Sequence, residues 1–73
     1  MNENPKIAFT RKVCRERNLR YQIKNDALFL YVPQYHKFVQ TCFNLLNFGT
    51  NEDILDHIEK QIYTFGIWTV FKN

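Results

Sequence analysis

Leu19-Arg20-Tyr21-Gln22-Ile23-Lys24, then Asn25-Asp26, then Ala27-Leu28-Phe29-Leu30-Tyr31-Val32 ahead of Pro33, is the stretch whose reading sets the fold. The first six residues alternate apolar and polar, the period of a half-buried strand. Asn and Asp tolerate the left-handed backbone of a tight turn, and the run after them is apolar and aromatic. A β-hairpin follows. With Asn25-Asp26 as its loop, Lys24 faces Ala27, Ile23 faces Leu28, Tyr21 faces Leu30 and Leu19 faces Val32. The apolar pairs then share one face, and the other holds Arg20 opposite Tyr31 and Gln22 opposite Phe29, with Lys24 at the tip. A slip of one residue would mix the two faces.

On the N-terminal side, Asn4 is a good cap and Pro5 suits the first helical position, where its missing N–H costs nothing. Ile7, Phe9, Thr10, Val13 and Cys14 then fall on one helical face and Arg11, Lys12 and Arg15 on the other. This helix is expected to end near Asn18, which accepts a left-handed cap. On the C-terminal side, Tyr35, Phe38, Val39, Cys42, Phe43, Leu45 and Leu46 recur at helical spacing and predict a second helix over 34–47, closed by Gly49. Thr50, with Asp53 three residues on, opens a third helix along Ile54, Leu55, Ile58 and Ile62, and Gly66 ends it. Ile67-Trp68-Thr69-Val70-Phe71 is β-branched and aromatic and is expected to be a last strand. The fold expected is α+β in the order α-β-β-α-α-β, a small antiparallel sheet with helices packed on one face.

The chain has 73 residues, 45% hydrophobic and 23% charged, so residues 1–73 are expected to form one small domain, too apolar for disorder and too short for a second core. No apolar run approaches the roughly 18 residues of a membrane span. Met1-Asn2-Glu3-Asn4-Pro5 has no apolar stretch after a basic start, so the expectation is a cytoplasmic protein with no membrane contact. Cys14 and Cys42 then read as reduced, buried thiols rather than a disulfide. Low glycine with many Asn and Lys suggests an AT-rich genome, such as that of a phage or mobile element.

The net charge of +3 is unevenly placed. Residues 1–24 hold seven cations against Glu3 and Glu16, a net +5, while the remainder carries −2, with four acids between 52 and 59. Such a dipolar distribution orients approach to a polyanion or to a complementary protein.

Catalytic patterns are weak throughout. His36 and Cys42 would project to different sides of the predicted second helix, so they form no dyad. His57 reads as a solvated residue on an acidic helix. Among Cys14, His36, Cys42 and His57 no two lie closer than six residues, against the short pairings of zinc ligands. Glu52, Asp56 and Glu59 read as a solvated face, with Lys60 four residues beyond Asp56. With only Gly49 and Gly66 there is no phosphate-cradling loop. No enzyme, cofactor or metal is expected.

The sharper signal is the mixture of rings and cations. Arg20, Lys24, Phe29 and Tyr31 on one hairpin face, supported by Arg11, Lys12 and Arg15 from the first helix, form the combination that stacks and tracks single-stranded nucleic acid. The contrary reading packs Phe29 and Tyr31 under the first helix or the last strand. The expected function is a small non-enzymatic binding or regulatory protein whose partner is nucleic acid or a nucleic-acid-handling complex. The competing expectation is an inhibitor or adaptor docking on a larger protein through Tyr63, Phe65, Trp68 and Phe71. An exposed last strand would also admit a second copy and a homodimer.

Overall fold

The computed structural model describes residues 3–67. Its first element is helix α1, Pro5–Glu16, capped by Asn4, whose side chain accepts from the Lys6 amide at 2.9 Å. Ile7, Val13 and Cys14 are buried along it, as is Thr10, whose hydroxyl donates to the Lys6 carbonyl at 2.8 Å and so meets no desolvation penalty. The helix closes through Asn18 in the left-handed conformation, φ 57°, with the Leu19 amide donating to the Cys14 carbonyl.

Strands β1, Tyr21–Lys24, and β2, Ala27–Val32, pair antiparallel in the register expected from the alternation, Tyr21 with Leu30, Gln22 with Phe29, Ile23 with Leu28 and Lys24 with Ala27. Asn25 and Asp26 have φ of 52° and 64°, the double left-handed turn whose twist matches a two-residue hairpin. On β2 the residues Leu28, Leu30 and Val32 are completely buried, while Phe29 and Tyr31 between them are half-buried on the opposite face.

The helix expected over 34–47 does not form. After Pro33 the chain turns back, the Tyr35 amide donating to the Val32 carbonyl and the His36 amide to the Pro33 carbonyl, with His36 at φ 57°. It continues as β3, Lys37–Cys42, antiparallel to β2, giving a sheet in the order β1-β2-β3. The apparent helical spacing came from a β-bulge. Phe29 pairs with Gln40 but Leu28 with Cys42, so Thr41 is the extra residue and the alternation changes phase there. Val39 and Cys42 thereby both reach the core side, three apart as on a helix, and Phe38 and Gln40 reach the other. Instead of a helix end, Leu45–Asn47 makes one 3₁₀ turn, anchored by the Leu45 amide on the Asp26 carbonyl at 2.7 Å.

Helix α2, Asn51–Phe65, begins with a reciprocal capping box. The Thr50 hydroxyl accepts from the Asp53 amide at 3.1 Å and the Asp53 carboxylate accepts from the Thr50 amide at 3.3 Å. Ile54, Ile58 and Ile62 are buried, Leu55 packs beside them, and Gly66 ends the helix at φ 67°, a conformation that favours glycine. The core joins Ile7, Val13 and Cys14 of α1, Leu28, Leu30 and Val32 of β2, Leu45, and the three isoleucines of α2. Both helices thus share one face of the antiparallel sheet, and the fold is mixed α+β. Of the expected last strand, Ile67 is buried. The rest of that strand, Trp68 to Phe71, lies outside the described residues.

Candidate nucleic-acid interface

The face of the sheet turned away from the helices holds a line of side chains set by strand alternation and the bulge. Arg20 enters opposite Tyr31, whose amide donates to the Arg20 carbonyl at 2.9 Å. The Arg20 guanidinium carbon lies 4.4 Å from the Tyr31 ring centroid, and the Tyr31 and Phe38 rings meet edge to face at 5.4 Å and 70°. Gln22 and Gln40 are the cross-strand partners of Phe29, one on each side, and both are exposed. Lys24 is exposed at the hairpin tip. Phe29, Tyr31 and Phe38 are half-buried and stand outside the buried cluster that the helices cover. Phe29 and Tyr31 therefore do not pack under α1.

The structure places Arg20, Lys24, Phe29 and Tyr31 on one face of the sheet, with Arg20 and Tyr31 in contact, and separates them from the α1 cations. Helix α1 lies on the core side of the sheet. Lys12 and Arg15 are exposed on it, and Arg11 reaches the β1 edge, its guanidinium carbon 5.9 Å from the Tyr21 ring centroid and its Nε within 2.9 and 3.1 Å of the two Glu3 oxygens. Hydrogen bonds to Tyr21 and then to Glu3 hold the Arg11 guanidinium above its ordinary proton affinity. Arg17 is tied across the molecule to Glu59 at 3.1 Å. Phe38 joins the ring face although sequence reasoning placed it in a helix core. Phe38 and Gln40 share the face of Tyr31 and Phe29 through the regular pairing that follows the turn, and the bulge beyond them moves Cys42 to the core side.

The expected C-terminal aromatic patch is divided. Tyr63 is 81% exposed, whereas Phe65 packs against the core and meets Tyr35 edge to face at 6.1 Å. Trp68 and Phe71 lie outside the described residues.

His57 is not the solvated residue expected on an acidic helix. It is half-buried beside Phe48, ring centroids 5.2 Å apart, and its Nε2 is enclosed with no hydrogen-bond partner among the described residues. Desolvation lowers its pKa below the ordinary 6.5, with the Thr41 carbonyl acting in the opposite sense and Lys60 in the same sense. The unfolded chain therefore binds the proton more readily than the folded one. Stability is full above about pH 6.5 and falls as pH drops from the unfolded value towards the folded one. The urea midpoint should decrease between pH 7.5 and 5.5, and His57→Gln should flatten that decrease. An equal decrease in the variant assigns the effect to another group.

Cys14 and Cys42 are unpaired thiols. Cys14 is enclosed and burial pushes its pKa up to about 12, while Cys42 is only half-buried, short of the burial expected, with burial raising its pKa as well. Neither is an activated nucleophile. Among the described residues no group of three His, Cys, Asp or Glu side chains is placed to hold a metal ion, and no helix is long and apolar enough to cross a membrane. Comparison with known protein families, curated proteins and solved structures finds no match for the chain.

Proposed function

We propose that this protein is a non-enzymatic nucleic-acid-binding protein that contacts its ligand through the outer sheet face, with Arg20 and Lys24 on phosphate and Phe29, Tyr31 and Phe38 on bases. The observation that carries this reading is the Arg20–Tyr31–Phe38 cluster, a cation and two rings held in contact on a face the helices leave uncovered. Rings beside cations suit nucleic acid because every base presents a π-face and every nucleotide a charge. A binder rather than a catalyst is supported by the weak nucleophilicity of both thiols. A cytoplasmic setting suits two unpaired thiols.

The test is fluorescence anisotropy with labelled oligonucleotides across a salt series. Binding at micromolar concentration or tighter, weakening linearly in log salt, is expected. Absence of binding at low salt overturns the proposal. The second reading, an adaptor or inhibitor anchored by C-terminal aromatics, is favoured by the exposure of Tyr63. It predicts a complex whose affinity is far less sensitive to salt.

A further inference from the structure

We infer that the ligand of the outer sheet face is an unpaired strand whose bases stack on Phe29 and Phe38 while Arg20 and Lys24 hold its phosphates, the surface of α1 taking no part. This rests on the nucleic-acid reading and adds to it the state of the strand and the residues that select it. Rings on a sheet offer π-faces. A duplex has its base faces occupied by their own neighbours and shows only groove edges and phosphates, so it cannot use them. An unpaired base can.

The arrangement is partly set before any ligand arrives. Tyr31 has two neighbours, the Arg20 guanidinium over its ring at 4.4 Å and the Phe38 ring at 5.4 Å in an edge-to-face pair, which hold the guanidinium against the ring. A guanidinium stacked in this way keeps its N–H rim for phosphate oxygens. Phe29 sits between Gln22 and Gln40, so a base lying on that ring meets an amide on either side. Amides both donate and accept, and they give this position the means to prefer one base edge over another.

Charge argues the same way. A duplex-binding surface draws on many phosphate contacts, yet two cations of the basic segment are held in ion pairs, Arg11 with Glu3 and Arg17 with Glu59. Lys12 and Arg15 project from α1, on the far side of the sheet from the rings. The ring face itself offers Arg20 and Lys24, four residues apart on extended chain and so separated by about 13 Å. Two phosphate contacts on a single strand correspond to a slope of about −1.4 in log affinity against log salt.

The experiment is anisotropy with labelled dT12 and U12 and with a 12-base-pair DNA duplex, using the unmodified protein and the variants Phe29→Leu, Phe38→Leu and Lys12→Glu with Arg15→Glu. Leucine keeps apolar cover and removes the π-face. The single strands should bind at least about 10-fold tighter than the duplex, each leucine variant should bind them about 5- to 150-fold more weakly, and the α1 variant should stay within about 3-fold. The strand preference and salt slope are read on the unmodified protein, so they decide the matter even if a leucine variant fails to fold. A duplex bound as tightly as the single strands, with binding lost in the α1 variant, overturns this inference and leaves a nucleic-acid-binding protein that uses its helix. No binding of any oligonucleotide at low salt overturns both.

Discussion

Truncating Leu30 to alanine is expected to remove about 3–5 kcal/mol of stability, most of what a domain of this size possesses. Leu30 is fully buried on the central strand, between Tyr21 and Val39 in register, and belongs to the cluster shared by both helices. Its removal leaves a cavity that the flanking strands cannot close, because their backbones are fixed by hydrogen bonds on both sides of β2. Urea unfolding followed by circular dichroism should show a large fall in midpoint, with part of the protein unfolded before denaturant is added. Phe43→Ser is the matched control. That ring is 85% exposed, so its loss should change stability by less than about 0.5 kcal/mol. A Leu30→Ala cost under about 1 kcal/mol would contradict the packing described for the sheet.

The largest expected effect on binding comes from Arg20→Glu combined with Lys24→Glu. Each replacement removes a phosphate contact and adds a repulsive charge. Affinity for an unpaired oligonucleotide at about 50 mM salt should fall by more than about 100-fold. The fold should survive, because both residues are exposed, and the stability carried by the Arg20–Tyr31 contact is about 0.5–1 kcal/mol at an exposed site. Lost binding with a melting temperature lowered by no more than about 8 °C places the contact on the ring face. Binding within about 3-fold of the unmodified protein would remove that face from consideration.

These expectations draw on parts of the molecule that differ in how openly the sequence declares them. The hairpin register, the caps at Asn4 and Thr50, the left-handed closure at Asn18 and the stop at Gly66 are local matters, settled by residues within a few positions of one another. The opposition of Arg20 to Tyr31 follows from that register and was equally legible. Strand β3 was hidden because a bulge at Thr41 breaks the two-residue period and imitates a helical one, and Phe38 was lost from the site with it. The state of individual charges depends on residues brought from afar. Arg17 finds Glu59 across 42 positions, and His57 is enclosed by Phe48 from the 3₁₀ region, neither of which a helical wheel can show.

The position of α2 in the chain governs how the protein is made. Ile54, Ile58 and Ile62 form the wall that closes over Leu28, Leu30 and Val32, and they leave the ribosome after the whole sheet. At about 5–20 residues per second, the roughly 20 residues between Cys42, where the sheet ends, and Ile62 take about 1–4 s. Through that time the nascent sheet displays the part of its apolar side that α1 does not cover. An apolar β-rich segment left uncovered is prone to associate with its neighbours, so the yield of this protein is expected to rise with chaperone cover during the synthesis of α2.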